Sequence, residues 1–355
     1  MSNKKKSTLY DTNGYLNIEG IVKKGYPFNF IWGGRGTGKT YGGLKYVVEH
    51  NKTFMYSRTK QTQLNKIRNP ELSPFKALNQ ELDWNIQPFP INEVAGFYHT
   101  EYDEKHDRYI PTGLPVGYGS AISTFSNLRG FSAEDVSIWI WDEFIPQKGE
   151  RMPKGVSEAF LHGYETMNRN RELKGLPPIQ VLCFSNADNA NCELFAYLGL
   201  IRKVAEMNKK HQETAFLKDR GIALYNLCNS PISKAKEQTA LYKMIGMNSS
   251  FTRMSPGNEF QDVDYTDVKF QNLDEYNPLV YIGELAIYEH KSKDLLYVTK
   301  VKKGQPIDDY GGITDLSLTR FCRYYNWVWN HNVIDQCIIF EDIESKFLLD
   351  TYFHM

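Results

Sequence analysis

GGRGTGKT, residues 33–40, follows the apolar run FNFIW (residues 28–32) and opens onto TYGGLKYVVEH (residues 40–50). A short buried strand enters a glycine-rich loop and a helix leaves it, and G-x-x-x-x-G-K-[ST] is met by Gly33, Gly38, Lys39 and Thr40. Glycines let such a loop turn its backbone N–H groups inward, so that they and the helix N-terminus cradle phosphates. Lys39 is expected to reach the β- and γ-phosphate oxygens and the Thr40 hydroxyl to ligate Mg²⁺. The nucleotide-binding candidates are therefore Gly33, Gly34, Arg35, Gly36, Thr37, Gly38, Lys39 and Thr40. Arg35 is a charge where the pattern needs none, and a phosphate contact and a solvent-facing side chain fit it equally. The bland alternative, a turn that binds nothing, leaves the agreement of strand, loop and helix unexplained.

A second apolar run, VSIWIW, ends in Asp142 and Glu143. Ligands of open α/β sheets sit outside the carboxyl ends of the strands, so this pair is expected to face the same crevice as the loop. Asp142 is then the Mg²⁺-shell residue and Glu143 the residue that polarises the attacking water. Two acids at a buried strand end are costly without a cation or substrate; capping of a following helix is the structural alternative. An acid directly after the metal-binding Asp is the mark of hydrolytic ATPases of the additional-strand type. No NKxD follows, which favours ATP over GTP, and DDYG at residues 308–311 fits DxxG by chance.

Three further sites complete the constellation. IQVLCFSNAD ends a third strand in Ser185 and Asn186, a pair able to bond a γ-phosphate or its water and report on it. Arg169 and Arg171, in ETMNRNREL, stand near the end of a helix-like segment, where arginines are solvated, bond the helix C-terminus, or project into a neighbouring subunit's site. With the other motifs present Arg169 is the expected trans-acting finger, with Arg171 second. Arg58, in YSRTK, is a weaker candidate for a phosphate or interface role.

With 355 residues the chain exceeds one ordinary core and is expected to hold two domains. FNFIW, TFMYS, SAIST, VSIWIW and IQVLCFS alternate with helical spacing, which implies an α/β fold with a mostly parallel sheet. Residues 97–124 suggest an inserted hairpin. The expected division is an ATPase domain over 1–207, a helical linker over 208–257, and a small α+β domain over 258–355, where PLVYIGELAIY and DLLYVTKV read as two strands. The five cysteines are odd in number and form no CxxC pair, so neither a disulfide framework nor a zinc site is expected. Apolar runs fall short of a bilayer span and no apolar core follows the N-terminal lysines, so no membrane partner and no signal peptide are expected.

The phosphate loop, YSRTKQTQL, WDEFI, RNRE and CFSNA, in that order, resemble the genome-packaging ATPases of small protein-primed podophages, the φ29-like encapsidation motors related to large terminase subunits. The resemblance implies a P-loop ATPase domain of the additional-strand (ASCE) type, a short helical linker, and a C-terminal domain of ribonuclease-H-like descent without nuclease function. It further implies a homopentameric ring in the host cytoplasm, docked on the portal of a prohead and pumping double-stranded DNA inward with ATP and Mg²⁺. In the φ29 group a packaging RNA bridges motor and portal, and these residues leave open whether this chain uses one. Carried over, Lys39 and Thr40 match the phosphate-loop pair, Asp142 and Glu143 the metal and water residues, Asn186 the coupling position and Arg169 the trans-acting arginine. A live nuclease of that fold needs an Asp on its first strand; Glu284 and Glu289 stand on the expected first strand instead, so no cleavage is expected.

Lys plus Arg equals Asp plus Glu at 42 each, so no global field draws the chain to DNA, and phosphate contacts must be local. Arg108, Arg129, Lys209, Lys210, Lys234 and Lys236 are the candidates, each also readable as a solvated charge. Two other functions stay in view: a packaging ATPase with a working C-terminal endonuclease, and a nucleotide-switch assembly protein.

Overall fold

A computed structural model describes residues 9–92, 94–128, 134–146, 150, 152–153, 155–186, 192–236, 238–245, 267–331 and 337–354. Arg129 lies outside the described residues. The chain divides into two compact units, residues 1–189 with 206–261, and residues 190–205 with 262–355.

The first unit is built on nine strands: β1 (Phe28–Trp32), β2 (Phe54–Arg58), β3 (Ile86–Ile91), β4 (Val94–Asp103), β5 (Arg108–Ala121), β6 (Ile138–Asp142), β7 (Gln180–Ser185), β8 (Thr214–Leu217) and β9 (Ile222–Asn226). Their spatial order is β3-β4-β5-β2-β6-β7-β1-β9-β8. The six from β5 to β9 in that order are parallel, and antiparallel strands close both edges. β7 lies between the loop strand β1 and the carboxylate strand β6, the arrangement that defines the additional-strand class.

Helices cover both faces, as a buried parallel sheet requires. Helix α1 (Ile18–Val22) packs on α2 (Lys39–Glu49), and α2 presses Gly43 so close to the sheet that a Cβ there would stand 2.7 Å from Phe184 and 3.4 Å from Ile140. Further helices of this unit are α3 (Gln61–Ile67), α4 (Lys76–Leu82) and α5 (Val156–Asn168). On α5, the Phe160 ring centre lies 5.0 Å from that of Trp139 and 4.9 Å from that of Trp141. Side chains alternate along a strand, so Ile138, Ile140 and Asp142 of β6 share the α2 face while Trp139 and Trp141 take the other. Both indoles are satisfied, Trp139 by the Ser57 hydroxyl at 2.8 Å and Trp141 by Thr59 at 3.2 Å.

In this unit three expectations need correction. Only the first two residues of SAIST are strand: β5 ends at Ala121 and a 3₁₀ turn, Ile122–Leu128, begins there. The expected hairpin is not separate from the sheet, because β5 itself runs on into the pairing with β2. Residues 208–257 are not all helical, since β8 and β9 join the main sheet before the short helices α8 (Pro231–Lys236) and α9 (Ala240–Ile245), which follow α6 (Glu193–Tyr197) and α7 (Ile201–Lys209). The charged text around these two short strands hides them, although every residue of β9 is buried.

The second unit carries β10 (Tyr276–Ile282), β11 (Leu285–His290), β12 (Leu296–Thr299), β13 (Asp308–Asp309) and β14 (Ile338–Phe340), in the order β13-β10-β11-β12-β14. Helices Asp315–Asn330 and Ile343–His354 bury Phe321, Val328 and Leu349 against Val280, Ile287 and Val298, and α6 packs on the second of them. PLVYIGELAIY is two strands rather than one, turned at Gly283, whose φ of 53° suits the tight hairpin connection. Glu284 therefore sits in the turn and Glu289 on the second strand, not on the first. Among the described residues no group of three or more His, Cys, Asp or Glu is placed to hold a metal, and no helix is long and apolar enough to cross a membrane.

Candidate active site

The loop between β1 and α2 takes its shape from two glycines in the left-handed region, Gly36 at φ 70° and Gly38 at φ 87°, where a Cβ would be strained. Within it the buried Lys39 folds back, its Nζ donating to the carbonyls of Gly33 (3.1 Å) and Gly34 (2.8 Å) and to Thr37 Oγ1 (3.2 Å). Thr37 in turn donates to Gly34 at 3.1 Å. An ammonium held on neutral carbonyls of the loop is suited to exchange them for phosphate oxygens.

Asp142 stands opposite. Thr40 Oγ1 donates to its Oδ1 at 3.0 Å, and its Oδ2 accepts from Tyr56 Oη at 2.8 Å and from Arg58 Nη1 at 3.1 Å. Arg58 Nη2 also pairs with Glu143 Oε2, so one guanidinium ties both acids. Burial, and then the Asp142 charge, holds the Tyr56 phenol far above its ordinary range, so it remains a donor. Burial raises the Glu143 carboxyl as well; Arg58 opposes the rise, Asp142 and Glu150 add to it, and Arg35 opposes it. Glu143 has φ 57°, an unusual conformation for a glutamate, and the turn it makes lets Phe144 N reach Phe184 O at 3.2 Å.

One pocket of about 840 Å³ is lined by Arg35, Gly36, Gly38, Lys39, Thr40, Asp142, Glu143, Ser185 and Asn186. Its other wall is the segment Asp11 to Glu19, where Tyr15 packs on Gly38, together with Tyr41 and Tyr46. The donor set fits a magnesium nucleotide. The 3.0 Å between Thr40 Oγ1 and Asp142 Oδ1 matches the edge of an octahedron with bonds of about 2.1 Å, the geometry Mg²⁺ demands.

Not every candidate converges. The Ser185 hydroxyl donates to Ile145 O at 3.2 Å and accepts from Ile145 N at 3.3 Å, so it braces the turn after β6. Asn186 lies on the pocket wall. Arg169 closes α5 with φ 40°, donates to Thr166 O and pairs with Glu134 Oε1 at 3.5 Å. Arg171 bonds the carbonyls of Pro177, Glu134 and Val136. Both therefore stand at the entry end of β6, and neither lines the pocket of its own chain. Of the charges weighed for DNA, Lys210 pairs with Glu206 and Lys236 bonds the carbonyl of Arg35.

Two residues of the site carry more than the sequence indicated. Arg58 was legible only as a weak candidate, and Tyr56 as a buried strand residue. The available signal was alternation: Tyr56 and Arg58 share a face of β2, and β2 pairs with β6 in parallel register, Ser57 opposite Trp141.

Residues 6–305 match the family model described as podovirus DNA encapsidation protein (Gp16). Among solved structures, the fold is similar to the gp11 DNA-packaging motor of Phi-28, with a TM-score of 0.64 and 16% identity over 97% of this chain and 98% of that one. It is likewise similar to a chain of the bacteriophage Phi-29 genome-packaging motor assembly, with a TM-score of 0.63 and 16% identity over 96% and 98%. No curated protein matches.

Proposed function

The chain belongs to the podovirus DNA encapsidation protein (Gp16) family, and from that premise we propose that it hydrolyses ATP to drive double-stranded viral DNA through the portal of a preformed prohead. The observation that carries this reading is the 3.0 Å bond from the Thr40 hydroxyl to Asp142, with Lys39 and Glu143 as their immediate chain neighbours in one pocket. Thr40 and Asp142 would hold Mg²⁺, which neutralises charge developing on the transferred phosphoryl group. Lys39 exchanges the loop carbonyls for β- and γ-phosphate oxygens, and Tyr15, Ile18 and Tyr46 offer apolar surface to the rest of the nucleotide. Glu143 accepts a hydrogen bond from the attacking water and aligns it, which requires that its pairing with Arg58 open.

Arg169 is the arginine that reaches a neighbouring subunit's site in a ring, read as homopentameric. Its place at the entry end of β6, away from its own pocket, supports action in trans. Docking on a prohead in the host cytoplasm, with or without a packaging RNA, is the setting that this reading gives the chain. The test is DNA-stimulated ATP turnover in Glu143→Gln: a drop of about 100-fold or more is expected, the scale of a lost general base, with nucleotide binding retained. Turnover at the wild-type rate would remove Glu143 from this role.

A further inference from the structure

Lys236 is the last residue of α8, in the segment that leaves β9. Its Nζ donates to the carbonyl of Arg35, inside the phosphate loop, across 201 positions of sequence. A Cβ on Gly36 would stand only 2.1 Å from the same Nζ. The ammonium is thus seated on two consecutive loop residues, both of which line the nucleotide pocket. The same segment also grips the start of the loop: Leu227 N donates to Trp32 O at 2.9 Å, and the Leu227 side chain fills the space a Cβ on Gly33 would need, 2.5 Å away. The stretch from β9 to α8 is therefore fastened to the loop at Gly33 and again at Arg35 and Gly36.

The second fastening is poorly compensated. Burial pushes the Lys236 ammonium below its usual range, and among the described residues no carboxylate forms an ion pair with it. A partly desolvated cation whose bond is to a neutral carbonyl gains strongly from an anion placed nearby. The phosphate cradle is where such an anion would enter.

We propose that Lys236 is a phosphate contact supplied by the segment after β9, and that α8 thereby responds to the filling of the loop. Nζ holds the Arg35 carbonyl in the present arrangement and takes a phosphate oxygen of the bound nucleotide, so α8 shifts with the nucleotide. This rests on the loop being a nucleotide site and deepens that reading by assigning it a cation from beyond the motif.

The test uses the full chain as wild type and as Lys236→Met, which keeps the aliphatic stem and removes the charge. Calorimetric titration with Mg²⁺ and AMP-PNP is expected to show about tenfold weaker binding by Lys236→Met, the scale of one lost charge-assisted hydrogen bond. Hydrogen–deuterium exchange over residues 232–236 is expected to change on adding AMP-PNP in wild type and to stay unchanged in the variant. Affinity within twofold of wild type would overturn the proposal, as would a wild-type exchange rate in α8 that ignores the nucleotide. Weaker DNA binding with intact nucleotide affinity would also overturn it and return Lys236 to a DNA contact. If wild type itself fails to bind AMP-PNP, the nucleotide reading of the loop fails instead.

Discussion

At Glu143 two opposing effects meet on one carboxyl. Burial, with Asp142 and Glu150 near, raises its pKa, while Arg58 and Arg35 pull it down. A group held above its unfolded value stabilises the fold while protonated. That contribution is complete below the unfolded value of about 4.3 and is lost as pH rises through the folded one, so ionised Glu143 weighs against the fold at neutral pH. Removing Arg58 takes away the largest lowering charge. In the protein without nucleotide, Arg58→Ala is expected to move the Glu143 midpoint further up, followed by carboxyl ¹³C NMR. A midpoint that stays or falls would show that the pair contributes little in solution. The sequence placed both acids at a strand end but could not show that one arginine binds them, because that depends on which strands become neighbours.

Strand β6 shows how an element converts pattern into position. Its period of two sends Trp139 and Trp141 to the α5 side and Ile140 and Asp142 to the α2 side, which is why the acid meets Thr40. The contact between α2 and the sheet depends on Gly43. A Cβ there lies 2.7 Å from Phe184, and branched atoms beyond it have no free space among residues that are fully buried. Gly43→Val is expected to destabilise the first unit by about 1–3 kcal/mol through overpacking, read as an earlier denaturant midpoint, and to weaken nucleotide binding because α2 carries Lys39 and Thr40. Wild-type stability would mean that α2 shifts freely. FNFIW, VSIWIW and IQVLCFS were legible as strands because they are apolar and continuous. β8 and β9 were not, since runs of four and five residues give periodicity too little length.

Across the whole molecule, the proposed role of Arg169 rests on its placement. Arg171 bonds Val136 O at 3.3 Å, and Asp142 lies six residues further along the chain at the far end of β6, roughly 20 Å at about 3.3 Å per extended residue. Arg169, beside Glu134, is correspondingly remote from its own Lys39. Mixing Arg169→Ala subunits with Glu143→Ala subunits is expected to restore part of the hydrolysis lost by each alone, because some interfaces then join an intact Glu143 to an intact Arg169. No recovery at any mixing ratio would leave Arg169 as a cap for α5. Neutral composition, 42 positive against 42 negative residues, fits the proposed translocation, since a grip made by a few phosphate contacts is weak enough to be released.

By itself the sequence determined the local chemistry: which loop the glycines bend between strand and helix, where the strand ends in two acids, and which strand–loop–helix order surrounds them. These depend on neighbours a few residues apart, through glycine freedom and strand alternation. Only the tertiary structure decided that Arg58 and Tyr56 hold Asp142, that Ser185 braces a turn, that Arg169 stands at the far end of the sheet, and that Lys236 rests on the loop. Each of these contacts links segments that chain spacing does not relate, and burial selects among them by leaving few partners able to satisfy a desolvated charge.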